Sequence, residues 1–405
     1  MKGKWIRKTL GEMAQYINGY PFKPFHLVTG GTKIIRIEQL NNPHGKYDYA
    51  ADIFPQSYII ENGDLIFSWS ATLKTIIWKY GRGVLNQHLF KVIPNSNISK
   101  EFLFYVLDSS IVKLSESTHG STMKHIKKGD LDNYVAFCPK ETVEQQHIAD
   151  ILTSCDEVIE QTEKAIEKYR SIKAGMLQDL FTRGVDASGR LRPKPEDAPE
   201  LYKDSPLGKI PKEWDDPLAL GTPSVAEINP APSKREDYFI YIDLESVAEG
   251  CLLHENLIAK KNSPSRAQRT VFINDILFQL VRPYQRNNLL FEKKSPIQYV
   301  ASTGYAQIRA NISHTFLFYY MHSEAFLATV MTLCTGTGYP AITPSCLSKI
   351  LVILPSINEQ KEIARRLSAI DDKIALEKQV LDKYCSIKLG LMKKLLTPPE
   401  GALEA

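Results

Sequence analysis

The sequence lacks the features of membrane-spanning, secreted and disulfide-stabilised proteins. It has no run of about 18 apolar residues, the length that a membrane-spanning helix needs. Its first residues, Met1 to Trp5, lack the apolar segment of a secretion signal. None of its 6 cysteines stands in a C-x-x-C pair. We therefore expect a soluble cytoplasmic protein with reduced, mostly buried thiols rather than disulfides or zinc ligands.

Catalytic motifs are also missing. The segment from Gly30 to Lys33 is a poor imitation of a phosphate-binding loop, G-x-x-x-x-G-K-[ST]. The segment from Asn41 to His44 does not fit the Asn-Pro-Pro-aromatic motif expected of an amino-methyltransferase. No zinc-ligand spacing occurs, and no convincing cluster of carboxylates with a nearby lysine suggests a nuclease. We therefore predict no catalytic residue and no metal site. A single-chain methyltransferase or nuclease with degenerate motifs is the alternative.

The charge is small overall but uneven along the chain. The formal net charge is +4. Counting Lys and Arg against Asp and Glu gives about +6 for residues 1–142 and about −4 for residues 143–205. Residues 206–356 and 357–405 carry about +1 each. The basic first region is compatible with nucleic-acid binding, although charge alone does not identify that partner.

One long segment occurs twice. Residues 144–182 and 359–397 align without a gap at an offset of about 215 residues, with about 15 of some 39 positions identical. Both copies contain Lys-Tyr-x-Ser-Ile-Lys-x-Gly, at Lys168 to Gly175 and at Lys383 to Gly390. An ungapped match of this length predicts two copies of the same structural element.

Each copy is predicted to form a helix with an apolar seam of alternating four-three spacing, typical of a coiled coil. Thr162 and Glu377, and then Lys173 and Lys388, interrupt the seams at matching places, where polar residues fix register and partner. Two helices with matching seams most simply pack on each other. The residues predicted to pack in this helix pair are Ile148, Leu152, Ile159, Ile166, Tyr169, Ile363, Leu367, Ile374, Leu381 and Tyr384.

The regions before the two helices are predicted to be mixed α/β globules that also repeat. In the first, strands are expected at 33–37, 64–69, 75–78 and 89–93, and a helix at 100–114. Phe102 to Tyr105 recurs unchanged as Phe316 to Tyr319. The predicted fold class is therefore α+β: two globules separated by two long helices that form an antiparallel coiled coil, with a pseudo-twofold internal repeat. The dense prolines after the first helix predict a linker.

Polar loops in both globules are candidates for reading DNA. Arg, Gln and Asn side chains contact base edges, while Lys, Ser, Thr and backbone N–H groups contact phosphates. In the first globule the candidates are Ser68, Trp69, Ser70, Thr72, Lys74, Asn86, Gln87, Gly120, Ser121, Thr122, Lys124 and His125. In the second globule they are Arg282, Tyr284, Gln285, Arg286, Asn287, Thr337 and Tyr339.

Taken together, the repeat and the loops resemble the specificity subunit of type I restriction–modification systems. The motifs that carry this resemblance cover essentially the whole chain. They are Leu85 to Lys91, Gly120 to Ile126, Glu144 to Ala149, Gly208 to Trp214 and Glu359 to Ala364. The resemblance implies target-recognition domains at 1–142 and 206–356, conserved spacer helices at 143–182 and 357–397, a linker at 183–205 and a tail at 398–405. The tail does not look like a family motif.

The resemblance also implies a division of labour. Each globule would read one half of a split, asymmetric site in double-stranded DNA, and the helices would measure the gap. Methyltransferase subunits, expected to number two, would dock on this chain, and restriction subunits would join through them. Those partners would use S-adenosylmethionine, ATP and magnesium, so this chain would bind no cofactor of its own. A coiled-coil scaffold without a role at DNA is a further alternative.

Overall fold

The structure, a computed structural model, describes residues 4–51, 54–116, 126–336 and 338–403. The chain divides into two compact units. Unit 1 comprises Met1–Glu163 and Gln379–Ala405, and unit 2 comprises Lys164–Lys378. Each unit therefore contains one globule and a part of each long helix.

The first globule contains two sheets and a pair of strands. Its strands are β1 (Trp5–Thr9), β2 (Ala14–Asn18), β3 (Leu27–Val28), β4 (Thr32–Ile35), β5 (Asp48–Ala50), β6 (Ile59–Ile60), β7 (Leu65–Ser68), β8 (Lys74–Ile77), β9 (Gly83–Leu85), β10 (Leu89–Pro94) and β11 (Val135–Pro139). Its helices are α1 (Leu10–Met13), α2 (Ile37–Asn41), α3 (Lys100–Glu116) and α4 (Lys128–Asn133), followed by the long α5 (Thr142–Thr182). The four strands and the helix predicted in this globule are confirmed.

The second globule has a similar set of elements. Its strands are β12 (Tyr202–Ser205), β13 (Gly208–Pro211), β14 (Asp215–Ala219), β15 (Ala226–Ile228), β16 (Tyr238–Ile242), β17 (Val247–Ala248), β18 (Cys251–Leu252), β19 (Asn256–Ala259), β20 (Ala267–Val271), β21 (Asp275–Gln279), β22 (Leu289–Leu290), β23 (Tyr299–Ser302), β24 (Tyr305–Ala310) and β25 (Leu351–Leu354). Its helices are α6 (His314–Tyr320), α7 (Glu324–Leu333) and α8 (Pro344–Leu347), followed by the long α9 (Ile357–Leu395).

The strand order shows that the two globules share one topology. The antiparallel sheet β2-β10-β7-β8 of the first globule matches β15-β24-β21-β22 of the second. The mixed run β5-β4-β9-β6 matches β19-β16-β23-β20, and the parallel pair is the central one in both runs. The strand pair β1-β11 matches β14-β25. The predicted internal repeat is therefore confirmed for the globules as well as for the helices.

A buried glutamine fixes the start of each long helix. The Gln145 side chain donates to the carbonyl of Pro139 at 2.9 Å and accepts from the Ser99 backbone N–H at 2.8 Å. Gln360 makes the equivalent bonds, donating to the Pro355 carbonyl at 2.9 Å and accepting from the Ser313 N–H at 3.0 Å. Each glutamine thus joins the last strand of its globule to the helix that follows. The same hydrogen bonds anchor α3 in unit 1 and α6 in unit 2.

The long helices run antiparallel where they pack together. In unit 1, Ile148 and Leu152 near the start of α5 share an apolar core with Met392 near the end of α9. In unit 2, Leu180 near the end of α5 shares a core with Leu367 near the start of α9. The predicted antiparallel coiled coil is present, because the start of each helix packs on the end of the other.

The predicted seam residues lie on the inward faces of the two helices. Six of them are buried: Ile148, Leu152, Ile166, Ile363, Leu367 and Ile374. The other four, Ile159, Tyr169, Leu381 and Tyr384, are half-buried. Thr162 is also buried, and its hydroxyl donates to the Val158 carbonyl at 2.8 Å, so this polar seam residue is satisfied within its own turn.

The segment after α5 folds back onto the start of α9 within unit 2. The buried Arg192 guanidinium donates to Glu359 at 2.6 Å and also pairs with Glu213. Glu359 accepts a further bond from the Val185 backbone N–H at 2.8 Å. Gly184 adopts a φ of +61°, and a Cβ there would come within 2.0 Å of a Glu359 oxygen. Glycine is therefore required at this turn both by its backbone conformation and by the lack of space.

The cysteines differ from the expectation of mostly buried thiols. All six are free, but only Cys138 is buried. Cys155, Cys334 and Cys346 are half-buried, and Cys251 and Cys385 are exposed. The prediction of mostly buried thiols was therefore wrong, because Cys251 on β18 and Cys385 on α9 face the surface and three others are only partly covered.

The described end of the chain belongs to the core of unit 1. Ala402 is buried, and its carbonyl accepts from the Trp5 backbone N–H at 2.8 Å. None of the helices in the described part of the chain combines the length and hydropathy needed to cross a lipid bilayer.

Replacing Leu367 with Asp should strongly destabilise the chain. Leu367 is fully buried in the core that α9 shares with α5, so the substitution would place a carboxylate among apolar side chains. We expect a loss of about 3 kcal/mol or more in the free energy of unfolding, measured by urea denaturation. Leu389→Asp is the matched control, because Leu389 is 71% exposed on the same helix. Equal losses in the two variants would contradict the packing described above.

Candidate nucleic-acid interface

In each globule a group of candidate residues follows the end of a central strand of the antiparallel sheet. In the first, β7 ends at Ser68, and the Trp69 carbonyl accepts from the Ile126 N–H at 2.8 Å. In the second, β21 ends at Gln279, and the Leu280 carbonyl accepts from the Ile342 N–H at 3.0 Å. Ile126 directly follows the candidate His125, and Ile342 lies three residues after the candidate Tyr339, so each is hydrogen-bonded to the residue that follows the strand. Equivalent sheet ends therefore carry the candidate residues.

The loop after β21 has an unusual backbone. Pro283–Gln285 form a single 3₁₀ turn, and the residues on either side, Arg282 and Arg286, both have left-handed backbone conformations, with φ values of 53° and 55°. Side-chain-bearing residues rarely adopt this region, and such strain persists only where the surroundings hold it. The loop is therefore a fixed shape rather than a flexible connection.

Gln279 supplies much of that support from beneath the loop. It is buried, its side-chain oxygen accepts from the Asn287 N–H at 3.2 Å, and its amide donates to Gln285 at 2.9 Å. The buried Asn288 side chain accepts from the Gln279 backbone N–H at 2.8 Å. Sequence reasoning missed both residues. The available signal was a glutamine directly after the apolar run Ile276 to Phe278, which indicates a buried polar partner.

His322 completes this network. Its ring lies against Asn288, with 3.3 Å between the Asn288 Nδ2 and the His322 Nε2, and its Nδ1–H donates to the Phe318 carbonyl at 2.7 Å. Burial, assisted by the neighbouring Lys173 and Arg286 charges, lowers the pKa of His322 to about 4. The ring is therefore neutral at physiological pH and accepts the hydrogen bond from Asn288 with its unprotonated nitrogen.

The exposed surface of this loop is aromatic and cationic. The Arg282 guanidinium lies 4.2 Å from the centroid of the Tyr339 ring, which joins the two predicted loops. Tyr339 is 68% exposed and Tyr284 is 49% exposed, and Gln285 is exposed beside them. Arg286 forms an ion pair with Glu324 at 2.6 Å, which leaves it less free than Arg282. Thr337 lies outside the described residues.

The corresponding residues of the first globule are mostly packed rather than exposed. Ser68, Ser70 and Asn86 are buried, so their side chains do not reach the surface in this conformation. The Trp69 indole N–H donates to the Gln87 carbonyl at 3.1 Å, and its ring lies 5.5 Å from that of His88.

Two further candidates of the first globule reach its surface to different extents. Thr72 is exposed. The Lys74 ammonium group donates to the Leu40 carbonyl at 2.7 Å, which leaves that lysine partly engaged. The remaining candidates lie outside the described residues: Gly120, Ser121, Thr122, Lys124 and His125.

The two sheet ends therefore differ in chemistry on a shared framework. The second globule presents Arg282, Gln285 and two tyrosines, which suit base edges and phosphates. The first presents Thr72 with half-buried Trp69 and Gln87. In the described ranges, no group of three or more His, Cys, Asp or Glu side chains is arranged to hold a metal ion.

The stability of the chain should fall between about pH 6.5 and pH 4 because of His322. Its folded pKa of about 4 lies below the unfolded value of about 6.5, so in this window the unfolded state binds a proton that the folded state does not. Between pH 7 and pH 5 this costs roughly 2 kcal/mol, whereas above pH 7 it costs nothing.

Urea unfolding at several pH values tests this dependence. His322→Gln should flatten the pH dependence relative to the unmodified chain. His147→Gln, at an exposed position on α5, is the matched control and should leave it unchanged. An identical pH dependence in the unmodified chain and in the His322→Gln variant would refute the assignment.

The sequence of this chain matches one family model and is similar to several known proteins. A family model described as the type I restriction modification DNA specificity domain matches residues 2–168 and 249–383. The type I restriction enzyme MjaVIII specificity subunit of Methanocaldococcus jannaschii is 25% identical over 422 residues, covering 97% of this chain and 92% of the relative. The putative MjaX specificity subunit of the same organism is 28% identical and covers 91% and 87%. The EcoBI specificity subunit of Escherichia coli is 24% identical and covers 93% and 81%.

Two solved structures have the same fold as this chain. The crystal structure of a type I restriction–modification S subunit from M. genitalium superposes with a TM-score of 0.58 at 15% identity, covering 98% of this chain and 96% of that one. A chain from a structure on complex assembly and conformational transition of the type I R-M system gives 0.55 at 15% identity, with 97% of each chain covered. Because the family model matches more than half of the chain, including parts of both globules and of both long helices, this chain belongs to the family of the type I restriction modification DNA specificity domain.

Proposed function

We propose that this chain is the non-catalytic subunit that gives a type I restriction–modification complex its DNA sequence specificity. The observation that carries the proposal is the duplicated sheet end, which has one framework but a different set of side chains in each globule. Two different readers in one chain require a target with two different halves. The family match supports this function and lends no support to the alternatives of a single-chain methyltransferase, a nuclease or a scaffold without DNA.

The proposed domain roles follow the chain in order. Residues 1–142 and 206–356 are the target-recognition domains, and each reads one half of a bipartite, asymmetric site in double-stranded DNA. Residues 143–182 and 357–397 are the spacer helices that set the gap, with a linker at 183–205. Two tethered readers bind as a bivalent unit, so the second half-site is engaged intramolecularly and moderate half-site affinities combine.

We assign the contacts with DNA to candidate residues of both globules. In the second globule Arg282 and Gln285 contact base edges, and Tyr284 and Tyr339 flank them. In the first globule Thr72 and the loop from Gly120 to His125 are assigned to DNA. The buried Ser68, Ser70 and Asn86 support the loop from within, because their side chains have no surface.

Catalysis is assigned to partner subunits. Methyltransferase subunits, two in number, dock on this chain, and restriction subunits join through them. The S-adenosylmethionine, ATP and magnesium chemistry takes place in those partners. Several relatives are named as specificity subunits of type I restriction enzymes, which supports this division.

A methylation map tests the proposal directly. The chain is co-expressed with its methyltransferase partner, and the DNA is sequenced for N6-methyladenine, with the methyltransferase alone as the control. We expect a split motif with an unspecified gap that appears only when this chain is present. Absence of chain-dependent methylation, although the two proteins co-purify, would refute a DNA-reading role.

Replacing Arg282 and Gln285 together with Ala should relax one half of that motif. A bidentate contact to a base contributes roughly 1–3 kcal/mol of discrimination, so the preference at one or two positions should fall by roughly 10- to 100-fold. The other half of the motif should stay unchanged. Arg266→Ala with Gln268→Ala is the matched control, because it removes the same side-chain types from exposed positions elsewhere in the globule. Equal losses in both halves would argue against independent readers.

A further inference from the structure

A cluster of three side chains joins the second globule to both long helices. In unit 2, the Lys173 ammonium group on α5 lies 2.6 Å and 2.8 Å from the two carboxylate oxygens of Asp371 on α9. The Tyr319 hydroxyl on α6 donates to the same carboxylate at 2.8 Å. The Lys173 ammonium also lies 5.3 Å from the centroid of the Tyr319 ring. We call Lys173, Asp371 and Tyr319 the unit 2 cluster.

Unit 1 contains the same arrangement with the roles of the helices exchanged. The Lys388 ammonium group on α9 lies 2.6 Å from the carboxylate of Asp156 on α5. The Tyr105 hydroxyl on α3 donates to that carboxylate at 2.7 Å, and the ammonium lies 5.7 Å from the centroid of the Tyr105 ring. We call Lys388, Asp156 and Tyr105 the unit 1 cluster. The repeat offset of about 215 residues relates its members to those of the unit 2 cluster.

Both clusters are partly shielded from water, because the Asp371 and Asp156 side chains are only 34% and 32% exposed. The side chains of Lys173 and Lys388 are 26% and 20% exposed, and both lysines interrupt the apolar seams. Burial raises the pKa of Tyr105 and Tyr319, so both phenols stay protonated and act as donors. A charged group in such a seam lowers stability unless its partner is in place, and this dependence makes it a determinant of register.

Sliding α9 along α5 would break both clusters at once. A shift of one heptad moves the facing residues apart by about 10 Å. In one direction it would place Lys378 opposite Lys173 and Leu395 opposite Asp156. In the other direction it would place Ala364 and Leu381 in those positions. A shift of one heptad in either direction therefore sets each charge against a like charge or an apolar side chain.

We propose that the two clusters are register locks, which means that they fix the alignment of α5 against α9. The ion pairs Lys173–Asp371 and Lys388–Asp156 hold the two helices in this alignment. The hydroxyl groups of Tyr319 and Tyr105 attach each globule to the helix pair. The six residues are thus positioning residues that set the gap between the two half-sites. The claim that these residues set the gap rests on the proposed function, whereas the claim that they fix the helix register does not.

Three variants of the full chain test the locks. The open variant carries Lys173→Asp and Lys388→Asp, which sets two carboxylates against each other in each cluster. The swapped variant adds Asp371→Lys and Asp156→Lys, which restores both ion pairs in reverse, with each tyrosine oxygen able to accept from the new ammonium. The control carries Lys168→Asp and Lys383→Asp, the same charge change at exposed lysines of the same repeated motif.

The first measurement is thermal unfolding of the purified chain without DNA or partners. We expect the open variant to melt several degrees below the unmodified chain, the control to melt close to it, and the swapped variant to recover most of the loss. Equal melting of the open and control variants, or a swapped variant that melts no higher than the open one, would overturn the locks. This result is independent of any DNA-binding role.

The second measurement is the methylation map with the methyltransferase partner. The unmodified chain, the control and the swapped variant should give one motif with one gap. The open variant should lose that single gap, with methylation of the original motif falling by about tenfold or more, the scale of coupling between contacting residues. If the open variant is less stable yet methylates the original motif at the original rate, the clusters only stabilise the fold and do not set the gap. If the unmodified chain itself gives no motif, the proposed function fails while the melting result still decides the locks.

Discussion

Two long helices each carry an apolar seam that must be covered, and this requirement organises both units. A lone amphipathic helix in water would leave Leu152 or Leu367 exposed, whereas in the structure both are fully buried. Burying each such side chain contributes roughly 2 kcal/mol. The core of unit 1 includes residues of α3, and the core of unit 2 includes residues of α6. In each unit, therefore, one apolar cluster packs the two long helices together and attaches the globule to them.

On this framework the two globules use their sheet ends differently. The second holds its exposed loop in a strained shape from below, through the buried side chains of Gln279 and Asn288 and the half-buried, neutral His322. The first turns its polar residues inward and covers them with Trp69. Shared topology with different loop chemistry is what a protein needs in order to recognise two unlike halves of one target.

The sequence was sufficient for the elements that repeat. An ungapped match over the helices and the unchanged Phe-Leu-Phe-Tyr segment predicted the duplication, because packing constrains both copies in the same way.

The burial of individual loop residues could not be predicted from the sequence. Asn86 and Arg282 are both polar loop residues in the sequence, yet one is buried beside the sheet and the other stacks on Tyr339 at the surface. Their difference depends on contacts with residues far away in the chain, since the Asn86 N–H donates to the Ile35 carbonyl and the Arg282 N–H donates to the Pro340 carbonyl. The ion-pair partners of Lys173 and Lys388 could not be predicted from the sequence either. The register of an antiparallel helix pair depends on both helices together, and neither helix sequence determines it alone.

The turn after α5 has a consequence for how the middle of the chain behaves. A proline-rich stretch between two domains is usually treated as a tether whose length and composition can vary. Here its first ten residues are bound into unit 2 by the buried pairing of Arg192 with Glu359 and by a glycine that no other residue can replace without displacing that carboxylate. The exit of the first helix and the entrance of the second are thereby held as one rigid corner. Within this corner the turn from Asp186 to Arg190 carries the exposed side chains, so a protease should find its first accessible bond after the helix in that turn.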